Sequence, residues 1–163
     1  MIVKRCNNTT YNNFTLQKGD SMRELKDTKE LESAYVLMKQ LRPHLSKDEF
    51  VSRVKQQQKT MHYRLFAFYD KQNLVGLCGV MPFDVLYREK CLYICDLVID
   101  SNLRGQGFGS KFLQKIENLA HIEGYLQIEL SSGFPRKKAH QFYAKMGFDK
   151  TSYVFVKNVG EQK

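Results

Sequence analysis

Apolar and polar positions along this chain follow two periods, and each change of period marks an element. Met22 to Leu25 reads as a first short strand. Thr28 then stands as a helix cap ahead of Leu31, Ala34, Tyr35, Met38 and Leu41, positions three or four apart that share one helical face. Pro43 stops that helix. A second starts near Ser46, turns Phe50, Val51 and Val54 inward, and fades in the polar run from Lys55 to Lys59. Tyr63 to Tyr69 and Leu74 to Met81 are apolar runs joined by Asp70-Lys71-Gln72-Asn73, a hairpin signal. Pro82 to Lys90 reads as a loop, and Cys91 to Ile99 as the central strand, interrupted by one acid, Asp96.

The chain next turns through Asp100, Ser101 and Asn102 and passes the glycine-rich stretch Arg104-Gly105-Gln106-Gly107-Phe108-Gly109-Ser110. A helix follows, with Phe112, Leu113, Ile116, Leu119 and Ala120 on one face and Gly124 as its C-terminal cap. Leu126 to Leu130 makes a fifth strand, broken by Ser131-Ser132-Gly133. Pro135 opens a short helix carrying Ala139, Phe142, Tyr143 and Met146 on one side, and Gly147 closes it. Phe148 to Val156 reads as a last strand. The order β-α-α-β-β-β-α-β-α-β predicts an α/β fold, with one mixed, mostly antiparallel sheet flanked by helices.

Composition narrows this to a single domain: 163 residues, 42% of them hydrophobic, suffice for one real core. Residues 1–21 are polar, rich in Asn and Thr, and without periodicity, so they read as an N-terminal extension ahead of a domain over 22–163. No apolar run approaches a membrane span and the start is not that of a signal peptide. Cys6, Cys78, Cys91 and Cys95 lack the C-x-x-C spacing of zinc sites, and three of them lie in strand-like apolar runs. Reduced core thiols, no metal and a cytoplasmic location are the expectation. The N-x-T triplets at Asn7, Asn8 and Asn13 then carry no glycosylation. Net charge is +9, with the basic residues spread along the chain and no long Lys/Arg run or basic-aromatic ladder. A nucleic-acid binder and an enzyme with a phosphate-bearing cofactor would both look like this. Charge therefore points to an anionic ligand without naming it, and no nucleic-acid or membrane partner is expected.

The glycine stretch says where such a ligand sits. In a strand–glycine loop–helix arrangement the backbone approaches an anion closely, and the free N–H groups with the helix dipole hold its charge. The P-loop pattern is excluded, because no Gly-Lys-Ser or Gly-Lys-Thr follows. The dinucleotide fingerprint fits badly, since its third glycine falls on Ser110. Asp96 is the second informative residue. A carboxylate in an apolar central strand is costly unless paired or functional, so it is either a structural acid bonded to a neighbouring loop or a group that acts on substrate.

Arg104-x-x-Gly107-x-Gly109, the preceding Leu97-Val98-Ile99-Asp100, and the block AHQFYAKMGF from Ala139 to Phe148 together resemble the GNAT superfamily of N-acetyltransferases. The resemblance runs from about Met22 to Lys157 and is most specific from Tyr93 onward. It implies acetyl-CoA as cosubstrate. Backbone groups of Leu97, Val98 and Ile99 would pair with the pantetheine arm, and those of Arg104, Gly105, Gln106, Gly107, Phe108, Gly109 and Ser110 would hold the pyrophosphate. Tyr143 matches the family tyrosine that protonates the departing thiolate. A phenol and a thiol have similar acidity, so that transfer is nearly balanced. Packing of Tyr143 in an amphipathic helix is the alternative. Asp96 becomes the candidate for recognising or, through water, deprotonating the amine. Some members carry a glutamate base three positions earlier, where this chain has Tyr93, and Glu129 and His140 are weaker options.

Glu129 to Tyr143, ELSSGFPRKKAHQFY, resembles the subgroup that includes aminoalkylphosphonate acetyltransferases. Its basic trio Arg136, Lys137 and Lys138 suits an acidic acceptor, the third phosphate of the cofactor, or a solvated helix face. The expected activity is acetyl transfer to a primary amine of a small molecule by direct attack in a ternary complex, since no cysteine holds an obvious nucleophile position. A protein N-terminus or lysine as acceptor, and a non-catalytic CoA-binding member, are the rivals. A homodimer is compatible with the chain.

Overall fold

The structure, a computed structural model, describes residues 19–160. Among them five strands form one sheet in the order β1 (Asp20–Leu25), β2 (Arg64–Asp70), β3 (Asn73–Phe83), β4 (Cys91–Ile99) and β5 (Gln127–Leu130). The first three pairings are antiparallel and β4–β5 is parallel. A parallel neighbour needs a crossover, which here is helix α3 (Phe108–Ile122). Helices α1 (Thr28–Met38) and α2 (Lys47–Met61) lie between β1 and β2 in the chain, and α4 (Lys137–Lys145) follows β5. The mixed, mostly antiparallel sheet with flanking helices is the expected α/β class.

Period-2 alternation divides the core in two. On β2, Leu65 and Ala67 join the cluster under α1 and α2 with Leu31, Ala34, Phe50 and Val54. Phe66 and Phe68 join the opposite cluster with Phe112, Leu113 and Ile116 of α3. The Phe68 and Phe112 rings stack there with centroids 5.0 Å apart.

One irregularity breaks this alternation and matters for function. Gly79 of β3 pairs with Asp96 and Val80 pairs with Ile94, so Cys95 is an extra residue on β4, a β-bulge. Before it, the even positions Leu92 and Ile94 pack in the α3 cluster. After it, the odd positions Leu97 and Ile99 pack there, while Val98 joins the α1/α2 cluster. An uninterrupted strand would aim Asp96 the same way as Ile94. The bulge turns it toward α1 and α2.

Several elements depart from the sequence expectation. Phe148 to Val156 forms no strand. The Phe148 N–H closes onto Tyr143 O at the end of α4, and residues 151–159 are exposed, with no ladder partner among the described residues. Alternating apolar residues make a strand only when an edge receives them. Helix α2 continues through Lys55–Lys59 to Met61, held by its own hydrogen bonds and by Gln58 Nε2 donating to Leu25 O at 3.0 Å. The cap of α1 is Asp27, not Thr28, and the helix ends at Met38, ahead of Pro43. β1 begins at Asp20, two residues before the domain boundary read at Met22. The rest of the extension, with Cys6 and the N-x-T triplets, lies outside the described residues.

Candidate functional site

β5 pairs with β4 only over Cys91–Ile94. Beyond the Cys95 bulge the two strands part, and among the described residues no strand pairs with the edge of β4 from Cys95 to Ile99 on that side. A cavity of about 230 Å³ opens at the parting. Ile94, Cys95 and Leu97 of β4, Leu130 to Gly133 at the end of β5, Leu41 and Arg42 beyond α1, and Arg136 and Tyr143 from the α4 region line it.

The open edge leads to the glycine loop. Asp100 caps the single 3-10 turn Ser101–Leu103 by accepting from Asn102 N at 2.9 Å. Arg104 Nε donates to Ile99 O at 3.1 Å, which fixes the loop to the end of β4. Gly105 and Gly107 have φ of +79° and +85°, and a Cβ on either would meet nothing within 4 Å. They are required by backbone conformation, and the space over them is open. Gly107 is also the N-cap of α3, and no side chain caps that end. The first N–H groups of α3 therefore point out of the helix with no internal acceptor, next to the positive end of its dipole. This end of α3 suits a pyrophosphate.

Asp96 is satisfied by its own fold. Oδ1 accepts from Arg42 Nε at 2.9 Å and Nη2 at 2.8 Å, and Oδ2 accepts from the Tyr63 hydroxyl at 3.0 Å. Arg42 Nη2 also donates to Cys95 O at 3.2 Å, so the guanidinium straps the bulge. Tyr63 reaches Asp96 by crossing Gly79, where any Cβ would collide with the phenol ring. Burial, then the Asp96 carboxylate, pushes the Tyr63 phenol well above its ordinary pKa, so Tyr63 acts as a hydrogen-bond donor only.

Tyr143 is placed differently. Its ring packs between Phe142 and Phe148, with centroids 5.4 and 5.7 Å away. Its hydroxyl makes no hydrogen bond among the described residues, and Tyr143 lines the cavity. Burial raises its pKa, with the nearby Arg136 guanidinium opposing the shift. Cys95 also lines the cavity. Burial, then Asp96, pushes its thiol up to about 11 against the pull of Arg42, so it stays a protonated, poor nucleophile at neutral pH.

The structure thus brings Leu97 and Tyr143 to one opening, leaves Asp96 off its lining and joined to it only through Arg42, and sets the Arg104–Ser110 loop at the far end of the same strand edge. Glu129 is engaged by Arg88 at 2.7 Å. Arg42, Tyr63 and Ser132 were not singled out from sequence. Ser132 Oγ is buried without a hydrogen-bond partner beside the cavity, and Arg42 is joined to Asp96 across a sequence separation of 54. The only sequence signal for either arginine or tyrosine was the unexplained acid that both serve.

Among the described residues no helix is long and apolar enough to cross a membrane. The family model "Acetyltransferase (GNAT) family" matches residues 28–148. The chain is 34% identical over 139 residues to the "Uncharacterized N-acetyltransferase YhdJ" of Bacillus subtilis, covering 85% of this chain and 98% of that one. It is 32% identical over 98 residues to the aminoalkylphosphonate N-acetyltransferase of Salmonella typhimurium, covering 60% and 62%. Its fold superposes on AAC(6')-Iy bound to the bisubstrate analog CoA-S-monomethyl-acetylneamine, with a TM-score of 0.74 at 14% identity, over 85% of this chain and 97% of that one.

Proposed function

Because the chain belongs to the acetyltransferase (GNAT) family and is an acetyl-CoA-dependent N-acetyltransferase, we propose that it acetylates the primary amine of a small molecule by direct attack in a ternary complex. One observation carries this reading. The unpaired edge of β4 from Cys95 to Ile99 joins a cavity at one end to the uncapped N-terminus of α3 at the other.

On this reading Leu97, Val98 and Ile99 offer backbone groups to the pantetheine arm as a neighbouring strand would. The N–H groups from Arg104 to Ser110 hold the pyrophosphate. A backbone N–H near Val98 polarises the thioester carbonyl. The amine enters from the cavity and its nitrogen bonds to the carbonyl carbon. The C–S bond then breaks, and Tyr143 gives its proton to the departing sulfur. Its raised pKa keeps that proton in place at neutral pH. The protonated Cys95 thiol supports direct transfer over an acyl-cysteine step. Asp96, with both oxygens engaged, is a positioning residue that holds Arg42 at the cavity wall, and the amine's proton leaves through water. The Arg136 side chain, exposed and without a partner among the described residues, favours an acceptor that also carries an acidic group.

Release of free CoA thiol from acetyl-CoA across a panel of small primary amines, with and without acidic groups, tests the reading. Turnover with at least one is expected. Acetyl-CoA should raise the melting temperature by several degrees near saturation, whereas ATP and NAD should not. Acetyl-CoA binding without thiol release would mark a non-catalytic member, and acetylation confined to peptides would move the acceptor to protein.

A further inference from the structure

The cavity where β4 and β5 part has a one-sided set of charges. Two guanidiniums, Arg42 and Arg136, line it, and among the described residues no carboxylate does. An ammonium group finds no anionic partner on this wall, whereas an anion finds several donors.

The two arginines are held in different ways. Arg42 is fixed, with Nε and Nη2 on Asp96 and Nη2 also on Cys95 O. Its Nη1 donates to none of the described residues. Arg136 is free. A turn closed by its N–H onto Gly133 O at 3.0 Å returns the chain to the cavity, and its exposed side chain pairs with no described residue. Ser132 supplies the third donor. Among the described residues its Oγ is the one buried side-chain polar atom without a hydrogen-bond partner, and it lies at the same cavity. A hydroxyl in that state costs free energy until something arrives to pair with it.

We propose that the acceptor is a small amino acid, whose carboxylate is bound by Arg136, by Nη1 of Arg42 and by the Ser132 hydroxyl. This names the substrate class of the amine acetyltransferase read above and rests on that reading. A carboxylate suits the wall better than a phosphate-type dianion does. Asp96 offsets the charge of Arg42, which leaves Arg136 as the uncompensated cation on the lining. Lys137 and Lys138 are exposed and do not line the cavity. A planar guanidinium also meets a planar carboxylate through two parallel hydrogen bonds. The cavity, about 230 Å³, is smaller than the roughly 300–1,000 Å³ of pockets for drug-sized ligands, so amine and acid stand only a few bonds apart. With the acid on these donors, the amine is left for the side of Leu97 and Tyr143, where the reading above delivers the thioester. Asp96 then serves the acceptor at one remove, by fixing a guanidinium that binds its acid.

Glycine, β-alanine and γ-aminobutyrate test this, each against the alkylamine and the aminoalkyl phosphate of matching length. The best amino acid is expected to be acetylated with a kcat/KM about tenfold or more above both of its matched amines. Arg136→Met should raise its KM by about tenfold or more and Ser132→Ala by less, with kcat changed less than KM in each. Calorimetric titration of the same compounds into protein saturated with CoA reads binding without turnover, with the glycine-loop site already filled. Amino-acid binding that weakens in Arg136→Met, without thiol release from acetyl-CoA for any amine, would sink the small-amine reading and leave the carboxylate site standing. Equal binding and turnover of amino acids and alkylamines would overturn the proposal. So would a preference for the aminoalkyl phosphates, a KM untouched by both variants, or no binding and no turnover of any amino acid.

Discussion

The N-termini of α2 and α3 are built on opposite choices. At α2, the Ser46 hydroxyl accepts from Glu49 N at 3.3 Å and the Glu49 carboxylate accepts from Ser46 N at 2.8 Å, so the orphan N–H groups are answered by the chain itself. α1 repeats the device with Asp27 and Glu30. At α3 the cap position is Gly107, with a left-handed backbone, no capping side chain and no acid in the first turn. α1 and α2 complete themselves, whereas α3, like α4, has no side-chain cap, and α3 opens onto free space over Gly105 and Gly107. The same contrast separates the two acid–base candidates. Asp96 has its oxygens taken by Arg42 and Tyr63, whereas the Tyr143 hydroxyl is unpaired at the cavity. Where this fold satisfies its own polar groups it builds scaffold, and where it leaves them open it offers a site.

The largest effect should come from closing the open helix end. Gly107→Asp should abolish the thermal shift given by acetyl-CoA, because a carboxylate would enter the proposed anion site. Its Cβ meets no neighbour, so the cost to the fold is the strain of the left-handed backbone. Gly107→Ala, with backbone strain and no charge, should weaken the shift less. Equal shifts in wild type and Gly107→Asp would break the contrast between α2 and α3.

Removing the open hydroxyl comes next. Tyr143→Phe should lower turnover by about 10²-fold with acetyl-CoA affinity intact. The sign of the pH dependence follows from the raised pKa. The acid is active while protonated, so wild-type activity should hold through the ordinary phenol range and fall only at higher pH. That alkaline limb should vanish in the variant. Full activity at every pH would reduce Tyr143 to packing.

Asp96→Asn probes the satisfied side. Arg42 would lose a half-buried partner, costing about 2 kcal/mol and several degrees of melting temperature, with activity reduced by the same factor at all pH values. A loss concentrated at low pH, with partial recovery as pH rises, would instead make Asp96 the group that deprotonates the amine. The smallest effect belongs to the closed helix end. Ser46→Ala should cost about 1 kcal/mol in denaturant unfolding and leave acetyl-CoA affinity unchanged.

Much of this was legible in sequence because it is local. Helical and strand periods placed nine elements near their observed positions, and the glycine stretch marked the uncapped helix before any packing was known. The start of α2 near Ser46 was also legible, and the structure shows it to be a Ser46–Glu49 capping box. Errors arose where a neighbour decided the outcome. The polar run Lys55–Lys59 shows no apolar period, yet it is helical because Phe50 and Val54 are already anchored and Gln58 finds Leu25 O. Tyr153 to Val156 has the composition of a strand and is not one, because among the described residues no strand of the sheet pairs with it.

The residue types alone determined the class of fold, the glycine loop ahead of an uncapped helix and the tyrosine in its helix–glycine block, since each depends on bonds and spacings within a few residues. Only the tertiary structure decided which way Asp96 faces. That depends on one extra residue, Cys95, opposite the Gly79–Val80 step of another strand. With the bulge come the parting of β4 from β5, the cavity at that parting, and the Arg42 strap across it. A register shift is a property of two strands together, and no period within either one contains it.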